Sequence, residues 1–391
     1  MRIRRLAVSA VLMLLVTACG DDAADTDPAA SAAPTAVESG TPTTLSFIVD
    51  VDGKAEVPTT FLAYFPKALS ARPGDTVSFV LQDTGAPHTV AFGAAVDKAI
   101  SARAVAPKSA ETPVEFKAIP PLFPPGPGDA LQAGAQPCVL PVGAPPITDM
   151  SKPCANTKPT EFTGTDQLFT SGWITSDQPF TFTIGAAAVP GTYNYFCQLH
   201  ANMVGTLTVV AAGATVPAPA EVTAKGAAEK AAFVAALAPG YAAVKAGKTP
   251  QVLAGALGGE GVPAEVDAFG PAEATVAVGG KVTWTVRGPH SIAFNAPADA
   301  VGFRLPGSDG AVHRNGKALK PAGGPGQVTG PEGPSSDPID AGKWNGEGFH
   351  SSGLIRAFAK PVTYSMIFTK AGTYKYLCTI HIDMEGTVKV G

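Results

Sequence analysis

Histidine, charge and aromatic rings are all scarce in this chain. Six of its 391 residues are histidine, 15% are charged and 7% are aromatic. With Asp and Glu (32) slightly ahead of Lys and Arg (28), there is no basic excess of the kind a nucleic-acid binder needs. Apolar runs long enough to cross a bilayer comfortably are missing too, since the longest stands at the N-terminus and is too short. Helical patterns have little claim outside one Ala-rich segment. What is present is 45% hydrophobic residues, enough for real cores, so the chain is not disordered. Gly (43) and Pro (37) are abundant, and the strand-like runs are rich in Val, Thr, Phe and Tyr. That combination predicts an all-β protein with long loops and room for two or three domains.

The first residues, MRIRRLAVSAVLMLLVTACG, carry Arg2, Arg4 and Arg5, then an apolar run, then Thr17 and Ala18 before Cys19. This is the layout of a secretion signal. The stretch VTAC also resembles the bacterial lipobox, which implies cleavage after residue 18 and lipid modification of Cys19. The resulting expectation is an exported protein, lipid-anchored at the outer face of a bacterial cytoplasmic membrane. Loss of the three arginines takes the formal charge from −4 to about −7. Of the five cysteines, Cys138 and Cys154 share one Pro-rich loop and can close it as a disulfide. Cys197 and Cys378 remain; they can bond to each other or serve two separate sites.

Residues 19–43 are small, polar and Pro-containing, a flexible tether. A first β unit is expected over 44–211, interrupted by a loop at 93–168 whose runs IPPLFPPGPG and VGAPPI preclude regular strands. Residues 212–262 read as an Ala-rich linker with one or two short helices, stopping at Pro239-Gly240. A second unit over 263–391 repeats the first: GDTVSFVLQDTGAPHTVAF answers GGKVTWTVRGPHSIAF, and SGWI at 171–174 answers SGLI at 352–355. The chain is a tandem duplication.

Each copy ends in one motif, GTYNYFCQLHANMVGT at 191–206 and GTYKYLCTIHIDMEGT at 372–387. Alternate strand residues share a face, so Tyr193, Tyr195 and Cys197 project together, as do Tyr374, Tyr376 and Cys378. A short loop returns His200 and Met203, or His381 and Met384, over the thiol. His88 and His290, each in a Pro-His pair, are the obvious further donors. A thiolate, a thioether and two imidazoles make a soft-to-borderline set that suits copper, whereas structural zinc prefers four strong ligands.

On these residues the chain resembles the cupredoxin family, relatives of plastocyanin and azurin, and its C-x-x-H-x-x-M spacing is most similar to that of amicyanin. The resemblance covers both units apart from the long loops. It implies two Greek-key β-sandwich domains, with His88, Cys197, His200 and Met203 binding one type 1 copper and His290, Cys378, His381 and Met384 a second. Two departures from the family pattern stand out. Relatives usually carry Asn after the first His, where it braces the ligand loops; here Thr89 and Ser291 are shorter. Many carry Pro before the second His; Leu199 and Ile380 instead keep a backbone N–H that can donate to the thiolate.

The same scarcity of histidine bears on function. A trinuclear copper oxidase needs many more, and neither cysteine has a histidine neighbour. Copper nitrite reductases place a second metal on three histidines, whereas only His313 and His350 are unspent; both read as surface or loop residues, with Phe169 in the place of His350 in the first copy. The expectation is a non-enzymatic electron carrier, with redox proteins such as a cytochrome or a copper or haem oxidoreductase as donor and acceptor. Copper storage or delivery is the alternative, and a nitrite reductase the more distant one. The loop rims differ, Ala201, Asn202 and Val204 against Ile382, Asp383 and Glu385, which suggests two different partners.

Overall fold

The structure is a computed structural model that describes residues 43–53, 55–82, 88–94, 96–97, 137–144, 154, 156–174, 176, 178–198, 200, 203–259, 261–306, 312–323, 338–381 and 383–391. The expected signal segment, Cys19, the tether to residue 42, Leu199 and most of the long loop lie outside the described residues. The fold is all-β, built of four large sheets, two from each half of the chain.

In the first half the strands are β1 (Ser46–Val51), β2 (Thr59–Phe61), β3 (Tyr64–Phe65), β4 (Ala68–Ala71), β5 (Thr76–Leu81) and β6 (His88–Phe92). They continue as β7 (Cys138–Leu140), β8 (Glu161–Phe162), β9 (Leu168–Ile174), β10 (Phe180–Ile184), β11 (Gly191–Phe196) and β12 (Val204–Val209). One sheet runs β3-β1-β5-β10-β8 and the facing one β4-β12-β11-β6-β9-β7. The period-two pattern explains the pairing of faces: in β5 Val77, Phe79 and Leu81 are buried while the residues between them are not. Those side chains meet Phe92, Phe162, Phe182 and Tyr195 in one aromatic core.

The second half holds β13 (Gln251–Leu257), β14 (Ala264–Gly270), β15 (Glu273–Val276), β16 (Lys281–His290), β17 (Ala293–Phe294), β18 (Arg304–Pro306) and β19 (Val312–Arg314). After them come β20 (Ile339–Trp344), β21 (His350–Ser351), β22 (Ile355–Phe368), β23 (Gly372–Leu377) and β24 (Glu385–Val390). Its sheets run β2-β14-β13-β16-β22-β20 and β15-β24-β23-β17-β21. The first of these contains β2, a strand from the other half.

That exchange follows the repeat. VPTTFLAYFPKAL at 57–69 answers VPAEVDAFGPAEA at 262–274 without a gap, so Thr60 corresponds to Glu265 and Leu62 to Asp267. β2 and β14 pair antiparallel with Thr60 opposite Glu265, each residue facing its own counterpart. The flanking bonds obey the same symmetry, Leu62 N–H donating to Pro263 O (2.8 Å) and Asp267 N–H to Pro58 O (2.9 Å). A local two-fold axis therefore passes through the Thr60–Glu265 pair, a self-complementary contact of the kind that joins symmetric dimers.

Four expectations are corrected. In place of one or two short helices there is a single helix, α1 (Pro219–Lys245), of 27 residues, and it runs through Pro239. Leu237 is buried, and Phe233 and Tyr241 lie against Phe61 and Phe65 of the first half and Val266 of the second. Packing of that face outweighs the hydrogen bond that proline forfeits. The region expected to be linker as far as residue 262 also contains β13, which lies between β14 and β16. Within the loop expected at 93–168, β7 and β8 are regular strands, and a disulfide joins Cys138 to Cys154. Lastly, His350 is neither a surface nor a loop residue: it sits buried in β21 with Nε2 2.9 Å from the Tyr364 hydroxyl, because β21 pairs with β17 over the core. No described helix is long and apolar enough to cross a membrane.

Candidate metal centres

The end of each sandwich gathers one His–Cys–His cluster. β6 opens on His88 beside β11, which delivers the first thiol, whereas β16 closes on His290 in the sheet other than that of β23, which delivers the second. β11 and β23 deliver Cys197 and Cys378 just past their last residues, and tight loops bring back His200 and His381. The loops are closed alike, Cys197 N–H donating to Met203 O and Cys378 N–H to Met384 O, both at 2.9 Å. Met203 and Met384 are buried beside their cysteines in the two cores. Neither cysteine is in a disulfide.

In each cluster one nitrogen of each histidine and the sulfur lie within 4.8 Å of one another. Cys197 Sγ is 3.5 Å from His200 Nδ1, and Cys378 Sγ is 3.6 Å from His381 Nδ1. His290 Nδ1 and His381 Nδ1 face each other at 3.0 Å. Two ligands that each stand about 2.0–2.3 Å from one ion are separated by about 3–3.7 Å, so these donors are already spaced for a shared metal. The imidazole centroids are 4.9 Å apart in both halves.

The short hydroxyl residues after the first histidines do the bracing that the sequence leaves open. Thr89 N–H and Ser291 N–H each point at the sulfur of their own half at 3.4 Å. Their hydroxyl oxygens accept the N–H of the residue after each cysteine, Gln198 at 2.8 Å and Thr379 at 2.7 Å. One side chain thus ties the first-histidine strand to the cysteine loop. Among the described residues, the backbone N–H on Cys378 Sγ belongs to Ser291 and not to Ile380.

Sequence reasoning missed three carboxylates. Asp52 is 1% exposed; its Oδ1 accepts Phe61 N–H at 2.7 Å and its Oδ2 lies 3.2 Å from His88 Nε2. Glu265 is 3% exposed, with Oε1 3.5 Å from His381 Nε2. Asp267 is 7% exposed, with Oδ1 3.5 Å from His381 Nδ1 and Oδ2 accepting the Thr60 hydroxyl at 2.8 Å. The gapless match of 57–69 to 262–274, in which acids replace Thr60 and Leu62, is the signal that could have revealed two of them.

These acids divide the halves electrostatically. Burial, and then His88, hold His200 well below the ordinary histidine range. Burial would lower His381 as well, yet Asp267 and Cys378 raise it well above that range. Cys378 in turn falls well below a normal thiol, as His381 and His290 overcome the cost of burial. Burial pushes Asp267 up to about 7 and raises Glu265.

No family model matches the chain, and no curated protein does. Solved structures to which it is similar include the reduced state of an amicyanin variant, 16% identical over 42% of this chain and 82% of that one, TM-score 0.20. An oxidised amicyanin variant is 14% identical over 45% of this chain and 98% of that one, TM-score 0.20. Another oxidised variant is 26% identical over 30% and 69%, TM-score 0.17. At those scores the likeness carries no argument, and the chemistry below rests on the donors themselves.

Proposed function

We propose that the chain is an exported electron carrier that holds one copper in each half, on His88, Cys197, His200 and Met203 and on His290, Cys378, His381 and Met384. The observation that carries this reading is the pair of matched His–Cys–His clusters, buried but for the half-buried His200, each with donors spaced for one shared metal and a backbone N–H aimed at the sulfur. Thiolate and imidazole together suit copper better than magnesium or calcium, and the buried methionine suits it better than zinc. Copper would supply reversible one-electron exchange. The protein's part is to keep the donors in one arrangement in both oxidation states. The strands fix Cys197 and Cys378, the Thr89 and Ser291 hydroxyls tie the loops, and the two N–H dipoles on sulfur favour the electron-rich form.

Burial favours a carrier over a delivery protein, since His88, Cys197 and His290 are 0% exposed and only His200 among the proposed histidine and cysteine ligands is half-buried. The proposed role is not enzymatic: a thiolate, a thioether and two imidazoles would fill four positions on each metal and set none aside for a substrate. Redox proteins are the proposed partners, and the exposed Asp383 and Glu385 give the second loop an acidic rim for one of them. A lipid on Cys19 would hold the carrier at the membrane surface.

Copper reconstitution with metal counting, visible spectroscopy and chelator competition tests the proposal. Two coppers per chain and sulfur-to-copper absorption from both halves are expected, with Cys197→Ser and Cys378→Ser each removing one copper. A chain that binds none, or a colourless one that surrenders Cu(I) to a chelator, would overturn it.

A further inference from the structure

Around His381 Nδ1 stand three donors at similar range: His290 Nδ1 at 3.0 Å, Cys378 Sγ at 3.6 Å and Asp267 Oδ1 at 3.5 Å. The first two are ligands of the proposed second centre. We infer that Asp267 is a further ligand of that centre, so that the two halves hold copper in chemically different sites; the inference rests on the copper reading above.

Two observations besides the distance point the same way. Asp267 Oδ1 is buried and accepts no hydrogen bond, although its twin Oδ2 is fixed by the Thr60 hydroxyl at 2.8 Å. A buried carboxylate oxygen without a donor is costly unless a cation faces it. Once His381 serves as a neutral ligand through Nδ1, the cation left to face Oδ1 is the metal. Glu265 Oε1, 3.5 Å from His381 Nε2, is placed to hold the proton on that outer nitrogen and leave Nδ1 for the metal.

The repeat supplies the internal control. The position of Asp267 is occupied in the first half by Leu62, which is buried in the cluster that contains Cys197 and Met203 and has nothing to donate. Both residues hang on the same backbone bonds across the local two-fold axis, so the difference lies in the side chain alone. A hard, anionic oxygen added to thiolate and imidazoles would favour Cu(II) over Cu(I).

The test uses the full chain in two single-centre forms, Cys197→Ser and Cys378→Ser, loaded with Cu(II) and read by EPR, visible spectroscopy and voltammetry. The second centre is expected to differ from the first in copper hyperfine splitting and in the position of its sulfur-to-copper band. In the Cys197→Ser background, Asp267→Asn, which preserves the shape and an oxygen for Thr60, should move the second spectrum toward the first and raise its potential. Asp267→Leu should complete the shift, and Leu62→Asp in the Cys378→Ser background should move the first spectrum the opposite way. If copper loads both centres and the second spectrum and potential are the same in Asp267→Asn as in the parent, Asp267 merely pairs with His381 and the inference falls while the copper reading stands. A chain that binds no copper at either centre overturns both.

Discussion

His88 and His290 hold the same place in the two halves, yet their outer nitrogens meet different surroundings. In the first half Asp52 sits beside His88 Nε2; the matching position, read from Val49 opposite Phe79 and Val252 opposite Trp284, is Gly255. Both backbones are left-handed there, φ 60° at Asp52 and +79° at Gly255, so the bend is common and the carboxylate is not. The ring of His290 lies over that glycine with Nε2 buried and unpartnered, and the carboxylates of the second half approach His381 instead. The two halves share the His–Cys–His clusters and the bracing hydroxyls, while the residues outside them differ. Those outer residues are where two otherwise matched proposed centres would acquire different properties.

The harshest way to break the comparison is to fill the glycine. A Cβ on Gly255 would lie 2.0 Å from His290 Nε2, on a backbone that side chains rarely adopt. Gly255→Ala should therefore cost the second centre its copper while the first keeps its own, as metal counting on the single-centre forms would show. An unchanged two-copper chain would mean that His290 has another place to go. Removing the asymmetry on the other side is gentler. Asp52→Asn should weaken copper at the first centre by about 10–100-fold and leave the second unaffected. Chelator competition reads this, and equal losses at both centres would show the effect to be general destabilisation.

The smallest effect is in proton binding. In the metal-free chain His200 is lowered and His381 raised, so near pH 6.5 the first should be neutral and the second still charged. Copper has to displace that proton, so acidification should weaken the second centre before the first. Histidine NMR titrations check the order, and Asp267→Leu should bring His381 down toward His200 by removing the anion that holds its proton. Identical titrations of the two histidines would dissolve the distinction.

Much of this was legible in the chain itself. The Y-x-Y-x-C strands, the loop back to His and Met, and the Pro-His pairs already point to the two His–Cys–His clusters, because strand periodicity and a seven-residue loop leave little freedom. The outer carboxylates were not legible, because Asp52, Glu265 and Asp267 reach the histidines only through strand pairing. Asp52 is aimed by a bond from Phe61, on a strand that belongs to the other half's sheet. The burial of His350 is hidden from the sequence for a related reason: it depends on Phe294 and Tyr364, which are distant in sequence. Pro239 looked like a helix stop because its local preference is strong, and only the apolar face beneath α1 overrules it.

The strand Thr59–Phe61 is encoded with one half and hydrogen-bonded into the sheet of the other. Gene order and mechanical unit therefore do not coincide. A protease nick in the connecting helix would yield two fragments still stitched together rather than two proteins drifting apart. Either fragment made alone would carry a raw edge shaped to accept a copy of itself.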